Sequence, residues 1–154
     1  MTFIKKVGNS LHGVVRKQLE HEFIRFCMVG IVGFCVNLSV LVLLRDALHV
    51  PIVLAVLGGG EAALVSNFLF HNFWTYRTRQ QDKKISTLFF QFHIAFWSGN
   101  GINALLTLIM ITQLEWGATV SLAVASIVVL FWNFIWTRYF IWRSKSVVAE
   151  EAKD

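Results

Sequence analysis

Four long tracts almost free of charge constrain this chain before anything else: Phe26–Leu44, Pro51–Phe73, Leu88–Ile111 and Ala118–Ile141. A helix that crosses a bilayer needs about 20 mostly apolar residues, so each tract reads as one span. Charged residues make up 15% of the chain, against about 25% in an ordinary soluble domain. They gather at 5–25, 77–84 and 138–154, between and beyond the tracts. The single proline, Pro51, suits the first turn of the second helix, where a missing N–H costs nothing. The expected fold class is therefore an all-α integral membrane protein with four transmembrane helices.

The net charge of +5 does not point to nucleic acid, because the basic residues flank apolar tracts instead of forming a soluble basic face. Cys27 and Cys35 share one apolar tract and read as small hydrophobes at lipid depth. No short apolar core with a small-residue cleavage site precedes the first tract, so no cleaved leader is expected.

The connections Arg45–Val50 and Thr112–Gly117 are short, which predicts two tight helical hairpins. One side of the membrane receives Arg16, Lys17, Arg25, Arg77, Arg79, Lys83, Lys84, Arg138, Arg143 and Lys145. The other receives Arg45, offset by Asp46, and Glu115. The excess of Lys and Arg places both termini and the central connection in the cytoplasm. Residues 1–22 form a cytoplasmic segment in which Ile4, Val7, Leu11, Val14 and Leu19 recur at helical spacing, with Lys5, Lys6, Arg16 and Lys17 on other faces. An amphipathic interfacial helix, drawn to anionic headgroups, is the favoured reading; a disordered basic tail is the other. Residues 144–154 read as a solvated cytoplasmic tail.

Shifting the sequence by 66 residues aligns Phe23 with Phe89, Phe26 with Phe92, Gly33 with Gly99 and Asn37 with Asn103. The same register pairs Leu48 with Leu114, Leu64 with Leu130, Asn67 with Asn133, Phe68 with Phe134 and Arg77 with Arg143. Apolar matches are common between membrane segments, but two asparagine pairs, a glycine pair and an arginine pair in one register are not. The transmembrane domain 23–143 thus reads as two repeats, 23–77 and 89–143. Each has an even number of helices, so the repeats enter from the same side and are parallel.

Polar residues inside the spans are the candidate functional groups. On the second helix, steps of three and four join Gly60, Ala63, Asn67, His71 and Trp74; on the third they join His93, Trp97, Asn100, Asn103 and Thr107; on the first, Gly30, Gly33 and Asn37. Packing explains part of this, since small residues let helices approach and amides bond across them for about 0.6 kcal/mol each. Glu61 resists that explanation. It falls near the middle of its span, where an ionised acid costs at least about 2.5–3.5 kcal/mol. Two readings stay open: a functional acid facing the bundle interior, or an acid near the outer interface beside a helix break at Gly58–Gly60. His71 carries the same two readings, as a site residue or a headgroup-level side chain. Phosphate loop, nucleophile elbow and paired metal-ligand spacing are all missing from the sequence, so no enzyme activity, metal or cofactor is expected.

The segments "FIRFCMVGIVGFCVNL", "EAALVSNFLFHNFWTYR", "FHIAFWSGNGIN" and "WNFIWTRYFIWR" resemble the GtrA-like family of small four-helix membrane proteins, from about Phe23 to Arg143. The resemblance implies a non-enzymatic, flippase-type carrier in the bacterial cytoplasmic membrane. Its substrate would be a polyprenyl-phosphate-linked monosaccharide for cell-surface polysaccharide glycosylation. On that view Glu61, Asn37, Asn67, Asn103, Asn133 and His71 meet the sugar head, and Arg25 and Arg138 hold the phosphate by charge-assisted hydrogen bonds. Trp74, Tyr76, Tyr139 and Trp142 read as an interfacial aromatic belt. Expected partners are membrane lipids, a membrane glycosyltransferase and a second copy of the chain. Two other classes remain open: a non-transporting anchor that recruits a glycosyltransferase, and a small proton-coupled exporter.

Overall fold

The computed structural model describes residues 2–79 and 83–143, with side chains from Arg16 onward. The expected tail 144–154 and the apolar face of residues 4–14 lie outside the described residues and side chains. The described chain is helical throughout its ordered elements: α1 Thr2–Val42, α2 Ile52–Phe70, α3 Ile85–Gln113 and α4 Ala118–Trp136. Four helices are long and apolar enough to span a membrane, over Arg16–Ala47, Ile52–Thr75, Ile85–Gln113 and Ala118–Ile141. Their large apolar side chains point outward in number, among them Ile31, Phe34, Val53, Phe73, Phe90 and Ile127, as lipid-facing helices require. Residues 2–22 are helical and continue into α1 without a break, and the apolar span begins at Arg16.

The chain divides after Arg77 into two compact units. In the first, α1 packs on α2; in the second, α3 packs on α4. The two units carry the same local plan 66 positions apart. Helix α2 starts at Ile52 and α4 at Ala118, each after an extended residue, Pro51 (φ −51°) and Gly117 (φ −60°). The preceding turns contain the two residues of positive φ among the described residues, His49 at 51° and Glu115 at 55°. The two turns share a backbone bond at matching positions, Val50 N–H to the Leu44 carbonyl (2.9 Å) and Trp116 N–H to that of Met110 (3.1 Å), and the first adds Leu48 N–H to the Leu43 carbonyl (3.2 Å). At the far end, both second helices widen into a π-helical turn, His71–Thr75 and Thr137–Ile141. These turns are closed by Tyr76 N–H to His71 and Trp142 N–H to Thr137, both at 2.9 Å.

Burial follows the same register. Phe26, Val29 and Gly33 of α1 are buried, as are Phe92, Ala95 and Gly99 of α3. Ala55, Gly59, Ala63 and Phe68 of α2 correspond to Ser121, Ala125, Val129 and Phe134 of α4. Small residues dominate one end of each seam and aromatic residues the other, so the helices of a pair approach closely at the turn end. Tyr76 and Trp142, each 1% exposed, plug the opposite end. They are core residues and not members of an interfacial belt; Tyr139, 47% exposed, keeps the outward position expected of it.

Candidate functional site

The amides nominated by the sequence separate into two environments. Asn67 and Asn133 lie in the seams, each against a glycine of the facing helix. A Cβ added at Gly33 would come within 2.6 Å of Asn67 Nδ2, and one at Gly99 within 2.5 Å of Asn133 Oδ1. Glycine is thus required in α1 and α3 for the close approach. The buried oxygens Asn67 Oδ1 and Asn133 Oδ1 accept no conventional hydrogen bond. Each oxygen lies against the glycine of the facing helix, whose C–H groups are weak donors of a kind that recurs at helix interfaces. Asn37 is half-buried against α2, where a Cβ at Gly59 would sit 2.6 Å from its Oδ1.

Asn103 is placed differently. Its Nδ2 donates to Ser126 Oγ at 3.1 Å, and Thr107 donates to its Oδ1 at 3.4 Å. It lines an open groove of about 400 Å³ with Asn100, Ala104, Thr107, Leu108, Ile111 and Leu122. The third-helix stripe read from the sequence therefore borders an open surface, whereas the second-helix stripe forms the seam with α1.

Glu61, half-buried, lies on an open groove of about 530 Å³ with Ala62, Val65, Ser66, Leu69 and Phe70. All are α2 residues, and Ser66 is the polar companion. Asn37, Asn67 and Asn103 are not among the residues of this groove. For Asn67 the reason is helical phase. Six residues separate Glu61 from Asn67, which turns them about 120° apart around the helix.

At the other end of the first unit, His71 is 3% exposed. Its ring stacks on Phe26 (4.8 Å, 13°) and tilts against Tyr76 (5.8 Å). Its Nδ1 meets Thr75 Oγ1 at 3.2 Å. Arg25 lies beside this cluster, with Nη1 donating to the Trp74 carbonyl at 3.4 Å and the guanidinium over the Trp74 ring at 5.7 Å. Glu22, 4% exposed, accepts from Gln18 Nε2 at 3.2 Å; sequence reasoning missed this buried acid because it precedes the long apolar tract.

In the second unit, Arg138 is 7% exposed with its guanidinium 5.4 Å from the Tyr139 ring. The connection before α3 supplies two further cations that sequence reading treated only as orientation signals. Arg79 Nη1 donates to the carbonyls of Arg138 (3.1 Å) and Trp142 (2.8 Å). Lys83 Nζ donates to those of Phe140 (2.9 Å) and Ile141 (3.3 Å) and to Gln91 Oε1 (3.0 Å). Both satisfy carbonyls that a helix end leaves open, at the negative end of the helix dipole. Partial burial lowers the Lys83 pKa below its usual value, and repulsion from Arg143 lowers it further. Among the described residues, no group of three or more His, Cys, Asp or Glu could hold a metal.

Two paired-helix units with lipid-facing exteriors, polar groups opening onto lateral grooves and cations at one end define a multi-pass helical membrane protein. Residues 25–142 match the family model described as "GtrA/DPMS, transmembrane domain", and the chain belongs to that family. The family is linked to polyprenyl-sugar translocation in cell-surface glycosylation, and its members are membrane translocases, generally non-catalytic. No curated protein matches the chain.

Proposed function

We propose that this chain is a flippase-type carrier moving a polyprenyl-phosphate-linked monosaccharide across the bacterial cytoplasmic membrane for cell-surface polysaccharide glycosylation. The observation that carries the reading is the family match across residues 25–142, which takes in all four spans. Such a lipid has a greasy tail, an anionic phosphate and a hydroxyl-rich head. Grooves open to the side let the tail stay in the bilayer while the head passes polar groups. Glu61 and Asn103 border such grooves and are proposed to meet sugar hydroxyls. Arg25 and Arg138, at the basic end, are proposed to take the phosphate. Asn37, Asn67, Asn133 and His71, packed within their units, reach the head only where the helices of a pair part.

The basic end faces the cytoplasm on this reading, with both termini, because Lys and Arg accumulate there. The recurrence of turns, caps and π-helical turns at 66 positions supports two parallel repeats of one ancestral hairpin. Grooves of this openness leave a sugar head partly uncovered, which favours a second copy or a membrane glycosyltransferase as a neighbour.

The test is headgroup translocation. Purified protein in vesicles carrying polyprenyl-phosphate monosaccharides should make inner-leaflet heads accessible to an external sugar-oxidising reagent faster than in protein-free vesicles. Equal rates with and without the protein, together with co-purification of a glycosyltransferase, would replace the carrier by an anchoring protein.

A further inference from the structure

A cleft of about 240 Å³ opens at the basic end of the second unit, lined by Gln91, Ile94, Trp136, Phe140 and Ile141. Along one wall, Trp132, Trp136 and Phe140 form a stacked aromatic ladder, with centroids 5.5 and 4.7 Å apart. Lys83 reaches the rim through its bonds to Gln91 Oε1 and the Phe140 and Ile141 carbonyls. The cleft is smaller than the roughly 300–1,000 Å³ of a complete small-molecule site, so it fits part of a longer ligand. Its chemistry is divided: a greasy aromatic wall, and a cation with an amide at the mouth.

Basic residues gather at this end of the second unit. A helix C-terminus presents about half an elementary negative charge. Arg79, Lys83, Arg138 and Arg143 gather around the end of α4, where Arg79 and Lys83 cap its carbonyls and Arg143 repels Lys83. The acid of the second unit, among its described residues, is Glu115, at the opposite end. No acidic side chain pairs with Lys83 among the described residues. Lys83 is the cation that stands at the mouth of the apolar cleft.

The first unit supplies an internal comparison. In the 66-residue register Gln91 corresponds to Arg25, and Phe140 to Trp74. Arg25 folds over the Trp74 ring and donates to the Trp74 carbonyl, covering the wall that the shorter, neutral Gln91 leaves open. The two units therefore differ at this place: in one an arginine lies over the aromatic ring, and the other presents an aromatic wall with a lysine at the rim.

We propose that the cleft of Gln91, Ile94, Trp136, Phe140 and Ile141, with Lys83 at its rim, binds the phosphate and first isoprene units of a polyprenyl phosphate. As a station additional to Arg25 and Arg138, the phosphate displaces Gln91 Oε1 from Lys83 Nζ, takes that charge-assisted bond and an amide N–H from Gln91, and the first isoprene units lie along Trp136 and Phe140. The identity of the lipid rests on the carrier reading above.

The test uses full-length protein in nanodiscs of zwitterionic lipid, titrated with radiolabelled polyprenyl monophosphate, with neutral polyprenol and inorganic phosphate as competitors. Wild-type protein should bind the lipid phosphate, with little competition from either. Lys83→Gln should weaken binding about tenfold or more, the usual loss for one hydrogen bond to a charged group. Gln91→Arg should also weaken it, by folding over Phe140 as Arg25 folds over Trp74, although it adds positive charge. Phe140→Ala, at a residue 57% exposed, should weaken binding with little effect on folding, and Lys84→Gln should leave it unchanged. Binding that Gln91→Arg leaves intact or tightens would mean general attraction to a basic surface and overturn the site. Equal competition by inorganic phosphate would make it a free-anion site and overturn the lipid assignment. Binding without translocation would overturn the carrier reading alone. Translocation with unaltered binding in Lys83→Gln and Gln91→Arg would overturn this site alone.

Discussion

Asn133 faces Gly99 so closely that a methyl group on the glycine would stand 2.5 Å from the amide oxygen. Asn67 faces Gly33 in the other unit in the same way. The contact fixes how near the two helices of a pair can come, and it joins residues that are neighbours in no local sense.

Gly99→Ala should therefore separate α3 from α4 or force the amide out of place. Overpacking of this kind costs about 1–3 kcal/mol, measurable by denaturant unfolding of the reconstituted protein. Asn133→Ala makes room for the methyl group, so the double variant should recover much of the loss. A coupling energy above about 0.5 kcal/mol is the expected signature of direct contact. Additive effects would mean that the glycine and the amide act independently.

The capping cations make a second case. Arg79→Ala removes two hydrogen bonds to the carbonyls of Arg138 and Trp142. Each bond from a charged donor is worth about 1.5–3 kcal/mol net. The end of α4 should fray, with faster hydrogen exchange at the Ile141 and Trp142 amides, while exchange at Tyr76 stays unchanged. Uniform exchange across both units would show that Arg79 holds no particular helix end.

Much of this architecture was legible in the sequence, and the parts that were not have identifiable causes. Spans, hairpin turns and the repeat register follow from apolar length and from the matched Gly33/Gly99 and Asn67/Asn133 positions, which recur because the same seam recurs. Tyr76 and Trp142 were misjudged as belt residues because each follows a π-helical turn. Such a turn inserts one extra residue and shifts everything after it by about 100° from the 3.6-residue period. Ordinary helical spacing cannot reveal that shift. The capping role of Arg79 and Lys83 was hidden for another reason. Their partners are backbone carbonyls some 57 to 63 positions away, and a carbonyl leaves no mark in residue identity. Nor did spacing alone separate the amide stripes: the one on α2 meets α1, and the one on α3 borders an open groove.

Topology is the third prediction. With Cys27 and Cys35 replaced by serine, single cysteines at Lys83 and at Glu115 should label from opposite faces of intact cells. Lys83→Cys should share the cytoplasmic face with both termini. External labelling of Lys83→Cys would reverse the orientation drawn from the basic residues, and labelling of both from one side would undo the two-hairpin arrangement.

The last prediction concerns Glu61, whose carboxyl lies on a groove otherwise built from Ala62, Val65, Ser66, Leu69 and Phe70. An ionised acid at this depth costs at least about 2.5–3.5 kcal/mol, a standing penalty that packing on an outward groove does not require. Glu61→Gln keeps the size and hydrogen-bonding capacity of the side chain but cannot ionise; Glu61→Ala loses both. If the acid hydrogen-bonds the sugar head, Gln should translocate near the wild-type rate and Ala should be at least about tenfold slower, the worth of one good hydrogen bond. If the acid takes up and releases a proton during the cycle, both variants should fail while remaining inserted, and the wild-type rate should depend on pH where the two variants' residual rates do not. The groove makes a further distinction. Ser66 is the polar companion on its lining, so Ser66→Ala should slow translocation in the hydrogen-bonding case and leave a proton-coupled cycle nearly unaffected. A stably inserted Glu61→Ala that moves its lipid at the wild-type rate would remove the carboxylate from the mechanism, and the groove on α2 would then be an ordinary lipid-facing surface.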